Sequence, residues 1–211
     1  HRDEGIPIVV FKPTGFGRFA IFQKLTENKP LTDEETKEWE RIKARFDAAC
    51  KRAYEYKIPI LVDAEESWMQ TAADNLVEEM MEKYNKEEPI VYNTLQMYRH
   101  DRLPYLKGLY ERAVDKNFYI GVKIVRGAYM EKENERAAEQ GYPTPICPNK
   151  QATDDNYNAV VRYIIEHIDR IALFAGTHNE ESTALVMDLM KEKGLQPNDK
   201  RVWIAQLYGM S

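Results

Sequence analysis

Polar, chemically able residues follow directly on short apolar runs at six places in the chain. They are Lys12, Asp63-Ala64-Glu65-Glu66, Asn93-Thr94-Leu95-Gln96, Arg126-Gly127-Ala128-Tyr129, Thr177-His178-Asn179 and Gln206, with Lys123 just inside the fourth run. Cations (Lys12, Lys123, Arg126), amides (Asn93, Gln96, Asn179, Gln206), a histidine and tyrosines outweigh the one anion cluster at Asp63, so hydrogen-bond donors dominate. Such a set suits a large, electron-rich ligand bearing phosphate or carboxylate groups. Taken singly, each residue has a plainer reading. Lys12, Lys123 and Arg126 read as solvated charges or salt bridges, Asp63 as the N-cap of a helix from Ser67, His178 as a capping group and Tyr129 as packing. Their recurrence after successive apolar runs is what joins them.

Other chemistries are less well supplied. Asp63, Glu65 and Glu66 could hold a divalent cation, but strand alternation sends neighbouring side chains in different directions, so no metal is expected. His100, His167 and His178 show no H-E-x-x-H spacing. There is no G-x-S-x-G, and Cys147 sits between prolines with no histidine close in sequence, which reads as an inert thiol. What remains fits a flavin and equally a phosphorylated sugar.

The elements that must position these residues follow from the apolar runs, which are Ile6 to Phe11, Ile58 to Val62, Pro89 to Asn93, Tyr119 to Val125, Ile171 to Ala175 and Val202 to Leu207. They are near-continuous rather than alternating, the pattern of parallel strands buried on both faces. Helical stretches fill the gaps. Thr32 to Glu35 reads as a capping box opening a helix to about Tyr56, followed by helices over Ser67 to Tyr84, Arg102 to Lys116, Asn156 to Arg170 and Glu180 to Lys193, with Gly194 as a stop. Met130 to Asp155 reads as a short helix and a loop. Strand and helix alternate throughout, which predicts an α/β chain with a parallel sheet.

Polar residues at the carboxyl ends of all six runs, without a G-x-G-x-x-G first turn, favour a (β/α)8 barrel over a doubly wound sheet. A closed barrel takes eight strands and usually ~250 residues. Six runs in 211 residues therefore predict an incomplete TIM-type barrel, with both ends reading as cut.

Composition excludes several classes. With 43% hydrophobic and 31% charged residues the chain is not of the disordered type, and two cysteines exclude a disulfide scaffold. A net charge of −5 with no basic run argues against nucleic acid. No run of eighteen apolar residues is present, and no targeting peptide heads this chain.

At these same strand ends the sequence resembles proline dehydrogenase. The resemblance is carried by Phe11-Lys12-Pro13-Thr14, Val62-Asp63-Ala64-Glu65-Glu66-Ser67, Val91 to Tyr98, Lys123 to Tyr129, Gly176-Thr177-His178-Asn179 and Gln206 to Met210, in family order. It implies a (β/α)8 barrel that binds FAD and oxidises L-proline to Δ1-pyrroline-5-carboxylate by hydride transfer to the flavin N5. The cofactor residues it implies are Gln96, Lys123, Val125, Arg126, Gly127, Ala128, Lys150, Thr153, Thr177, His178, Asn179 and Gln206. Lys123 is expected at the N5 edge, Gln96 at the hydrogen-bonding edge of the ring, and Thr177, His178 and Asn179 at the phosphate and adenosine side. Lys12, Asp63, Ile124 and Tyr129 are expected at the substrate, with Lys12, Asp63 and Lys123 as the catalytic set.

The motif wording is closer to mitochondrial single-function enzymes, which implies a matrix-side location, a quinone acceptor, and compatibility with peripheral membrane association and a homo-oligomer. The family also has a final strand and helix with two arginines that grip the proline carboxylate. Residues 1–211 are therefore expected to form the catalytic barrel without that last strand and helix. Two other readings stand beside this one. They are a barrel lyase or aldolase with Lys12 or Lys123 as a Schiff base, and a truncated, non-catalytic chain.

Overall fold

The computed structural model describes residues 8–209; Ile6 and Pro7 of the first expected strand, and Met210 of the last motif, lie outside them. In chain order the elements are β1 (Val9–Phe11), a 3-10 turn (Pro13–Gly15), α1 (Phe19–Thr26), α2 (Asp33–Tyr56), β2 (Ile60–Val62), α3 (Ser67–Tyr84) and β3 (Val91–Gln96). They continue with α4 (Arg102–Asp115), β4 (Ile120–Val125), α5 (Met130–Gln140), α6 (Lys150–Glu166), β5 (Ile171–Gly176), α7 (Glu180–Glu192) and β6 (Val202–Ala205). The expected α/β alternation is present. The chain divides into two compact units. One runs to Asn93 and adds Asn117–Tyr119; the other is Thr94–Lys116 and everything from Ile120.

In the first unit β1, β2 and β3 pair in parallel and in chain order, with Phe11 beside Val62 and Val62 beside Asn93. α2 carries an apolar seam, with Ile42, Phe46 and Cys50 fully buried at helical spacing. Phe46 meets the rings of Phe11 and Phe16, which ties α2 to the end of β1. The capping box is formed as the sequence predicts. Thr32 Oγ1 accepts from Glu35 N at 3.2 Å, and the Glu35 carboxylate accepts from Thr32 N at 2.8 Å. Thr32→Ala should therefore lower stability by about 1 kcal/mol, read as a lower urea midpoint with an unchanged slope.

Two details of this unit differ from expectation. α1 was not foreseen. It is short and has no side-chain cap, so its only signal is the buried pair Ile21 and Phe22. Asp63 does not cap α3. Glu66 holds the N-cap position, with no side-chain cap bond.

In the second unit β4, β5 and β6 are parallel and in order, with Lys123 beside Phe174 and Phe174 beside Trp203. The carboxyl-terminal half of β3 belongs here, since Met97 N donates to Val125 O and Tyr98 N to Arg126 O. β3 runs to Gln96 rather than stopping at Asn93, and all six of its residues are buried. It can do so because the Asn93 amide finds a buried acceptor in Asp74 at 2.9 Å. α6 starts at Lys150, six residues earlier than the periodicity suggests, because the Asn149 side chain caps it by accepting from Ala152 N. Gly141 and Gly194 close α5 and α7 at φ +72, where a side chain would be strained.

Burial on both faces holds for β2 and β3 and for most of β4 and β5, but not at the ends of the series. Val9 and Val10 of β1 are 44% and 45% exposed, and Trp203 and Ile204 of β6 are 37% and 39% exposed. Among the described residues each of these strands pairs along one side only within its unit. Among the described residues no helix is long and apolar enough to cross a membrane.

Candidate active site

A polar cluster of the second unit lies where β3 and β4 end. Alternation along β4 places Lys123 and Val125, both half-buried, on one face, and Val122 and Ile124, both fully buried, on the other. Ile124 and Lys123 therefore do not share a surface of the strand. Beyond Val125 the chain turns through Arg126, Gly127, Ala128 and Tyr129, with Gly127 and Ala128 exposed. Gln96 Oε1 accepts from Ala128 N at 3.1 Å. That bond commits one end of the amide to the turn. Gly127 sits at φ +137.

Arg126 is held on every side. Its Nε donates to Asp154 Oδ1 at 2.6 Å, Nη1 to Thr177 Oγ1 at 2.7 Å and Nη2 to Ser182 Oγ at 3.2 Å, and its guanidinium lies 4.7 Å from the Tyr157 ring centre. The bonds join α6, α7 and the residue just after β5 around one fixed positive charge, so the cation is oriented before any ligand arrives. Asp154 also accepts from Lys150 Nζ at 2.6 Å. Burial alone would push the Asp154 carboxyl up, but the hydrogen bonds from Lys150 and Arg126 and their charges hold it below the usual range. Asp154, Tyr157 and Ser182 were not foreseen as part of the site. The i,i+4 spacing of Lys150 and Asp154 was the one available signal.

The remaining expected cofactor residues fall into two sets. Thr177 is buried, and its Oγ1 accepts from both Arg126 and Asn179 N. Asn179 caps α7 by accepting from Ser182 N at 2.8 Å, and Glu180 and Glu181 fill the first turn of that helix. An anion there would meet like charge. The start of α6 differs, with no acid in its first turn and a Lys150 side chain that is 79% exposed. Thr153 lies in that turn, its hydroxyl donating to Asn149 O at 3.3 Å. His178 is exposed, and its Nε2 accepts from Leu207 N at 3.2 Å, which ties it to the chain just after the exposed Gln206.

In the first unit, Asp63 N donates to Phe11 O at 2.8 Å, and Lys12 and Asp63 directly follow Phe11 and Val62, the last paired residues of β1 and β2. The next residues serve the fold. Glu65 receives the Thr14 N–H and hydroxyl at 3.0 and 2.8 Å, Gln70 Oε1 accepts from Glu65 N, and Gln70 and Asn93 both donate to Asp74. Asn93, 1% exposed, is thus a core amide bonded to Asp74.

The thiols are unsuited to attack. Burial pushes Cys50 up to about 12 and shifts Cys147 upward as well.

Parallel β/α units in chain order, with cations and amides at the carboxyl ends of the strands, are the pattern of a (β/α)8 barrel. The proline dehydrogenase family model matches residues 17–211, and the chain belongs to that family. It is 39% identical over 210 residues to the carbapenem antibiotics biosynthesis protein CarD of Pectobacterium carotovorum subsp. carotovorum, covering 99% of this chain and 53% of that protein. It is 37% identical over 183 residues to mitochondrial proline dehydrogenase 1 of Homo sapiens, covering 85% and 30%.

The chain thus spans about half the length of one relative and under a third of the other. Among solved structures, proline utilization A of Bdellovibrio bacteriovorus inactivated by N-propargylglycine matches with a TM-score of 0.78 at 21% identity. The match covers 96% of this chain and 20% of that one. The protein of the same name from Corynebacterium freiburgense matches at 0.78 and 23%, covering 98% and 21%. These likenesses establish the incomplete TIM-type barrel fold.

Proposed function

We propose that the intact protein carries out the flavin-dependent oxidation of L-proline to Δ1-pyrroline-5-carboxylate, the opening step of proline breakdown. The observation that carries the reading is the fixed cation Arg126 beside the exposed turn of Gly127 and Ala128, in a chain of the proline dehydrogenase family. FAD, when bound, supplies the acceptor for the hydride that leaves proline C5.

The donor set fits such a group. Gln96, Lys123, Val125, Arg126, Gly127 and Ala128 would hold its ring region, and exposed backbone at 127–128 lets a planar ligand approach closely. Lys150 and Thr153, at the acid-free start of α6, suit the diphosphate. Thr177, His178, Asn179 and Gln206 complete the cofactor set on the family resemblance. Thr177 and Asn179 serve chiefly by fixing Arg126 and the start of α7.

On the substrate side we assign Lys12, Asp63, Ile124 and Tyr129, with Lys12 and Asp63 as a charged pair and Lys123 as the third catalytic group. The substrate amine must be neutral to release hydride, and Lys123 places positive charge where electron density arrives. Residues 1–211 would form the catalytic barrel, completed by the family's last strand and helix.

For the setting of the reaction the relatives divide. The human relative and others are named mitochondrial, whereas the Pectobacterium protein is bacterial. A quinone acceptor, the matrix side of the inner mitochondrial membrane, peripheral membrane contact and a homo-oligomer are part of this proposal on the mitochondrial resemblance alone. Nothing in the comparisons supports a Schiff-base lyase.

The test is anaerobic addition of L-proline to the intact, FAD-loaded protein. Bleaching of the flavin absorbance is expected. A folded protein that takes up no FAD, or holds FAD that proline leaves oxidised, would overturn the reading.

A further inference from the structure

We propose that Tyr98 is a positioning residue that fixes the Arg126–Tyr129 turn in its ligand-ready form, an inference that rests on the proline-oxidising reading above. Four of its groups act at once. Its N–H donates to Arg126 O at 2.7 Å, and its carbonyl accepts from Cys147 N at 2.6 Å. Its hydroxyl oxygen accepts from Tyr129 N at 3.3 Å. Its ring fills the space beside Gly127, where an added β-carbon would lie 2.6 to 2.7 Å from the ring carbons. Gly127 is thus required twice, by its φ of +137 and by the ring packed against it.

Tyr98 is 4% exposed. Burial, helped by the charge of Glu133, pushes its hydroxyl well above the usual phenol range, so the oxygen that meets Tyr129 N belongs to a neutral phenol.

Gln96 adds the second clamp through Ala128 N. Three backbone groups of the turn, Arg126 C=O, Ala128 N–H and Tyr129 N–H, are therefore held from the end of β3 and the residues just after it. The turn is pinned on one side and open on the other, since Gly127 and Ala128 are exposed. Ordering a loop residue when a ligand binds costs conformational entropy. A turn already ordered in the free protein spares a ligand that cost. Tyr98 does this without standing among the residues assigned to the cofactor or the substrate.

The test is Tyr98→Phe in the intact protein, which removes the hydroxyl acceptor and keeps the ring against Gly127. Hydrogen–deuterium exchange at the amides of Ala128 and Tyr129 should speed up about fivefold to tenfold. The dissociation constant for FAD and the KM for proline should rise by similar factors, with kcat changing less. Gly127→Ala should loosen the same turn with the hydroxyl still present.

Unchanged exchange in Tyr98→Phe overturns the proposal. So does faster exchange with FAD affinity and KM both unaltered, because the bond would then be structural only. A wild-type protein that binds FAD but is blind to proline defeats the proposed function, while exchange and FAD affinity still decide the role of Tyr98.

Discussion

Asp101→Ala should destabilise the protein by about 2–4 kcal/mol, read as a fall in the urea midpoint. Asp101 stands at the N-cap position of α4, yet its carboxylate serves two arginines instead of the helix. Arg99 donates Nε and Nη2 to it at 3.0 and 2.6 Å, and Arg102 donates Nε and Nη2 at 3.1 and 2.8 Å. The arginine side chains are only 8% and 9% exposed. Arg99 Nη1 is already buried without an acceptor among the described residues, so losing Asp101 strips Arg99 of both its side-chain acceptors. The value is set below the ~3–5 kcal/mol of a fully buried pair because Asp101 is 38% exposed and water screens its side.

The pH dependence has a definite sign. Burial alone would push this carboxyl up, but the hydrogen bonds and charges of Arg99 and Arg102 prevail and hold it far below the usual carboxylate range. A depressed folded value means that the contribution is complete above the unfolded pKa of about 3.9 and is lost as pH falls toward the folded one. The gap between wild type and Asp101→Ala should therefore be constant near neutrality and narrow on acidification below about pH 4. A gap that widens in acid would show that the carboxylate is not what Arg99 and Arg102 depend on.

On the proposed function, Lys123→Met should slow flavin reduction by proline about 30-fold to 1,000-fold, equivalent to about 2–4 kcal/mol. Lys123 shares its face of β4 with Val125 and lies beside Phe174 in register, while the fully buried Val122 and Ile124 occupy the other face. Methionine keeps the length and apolar stem of the side chain, so the strand and its packing should survive the change. Stopped-flow bleaching of the FAD-loaded intact protein measures the rate, and a thermal melt checks the fold. Wild-type reduction kinetics in a normally melting variant would remove Lys123 from the reaction.

What could be read from the sequence follows the range of each signal. Continuous apolar runs located all six strands, and caps close in sequence located the start of α2 and the end of α7, through the Thr32–Glu35 box and Gly194. α1 escaped because eight residues with two buried side chains give too little periodicity. The early start of α6 escaped because an asparagine cap within a proline-rich loop does not stand out. For the site, the residue types at the strand ends were legible, but their employment was not.

Asn93 looks like a ligand amide in sequence and is a core partner of Asp74, nineteen positions away. Arg126 looks like one more strand-end cation. Its anchors at Asp154, Thr177 and Ser182 are 28, 51 and 56 positions off and have no local mark. Ile124 and Lys123 are adjacent in sequence, and strand alternation puts them on opposite faces of β4.

The parallel pairings within each unit join strands that are neighbours in the chain: β1 with β2, β2 with β3, β4 with β5, and β5 with β6. A ribosome releases such a chain in the order in which its strands pair. Each strand meets a partner synthesised just before it, and none of these pairings waits for a distant segment. The loop closed at every step is a single crossover, which keeps the entropic toll of assembly low and spreads it evenly over translation. Pauses in synthesis placed after a helix rather than within a strand would let one crossover settle before the next emerges.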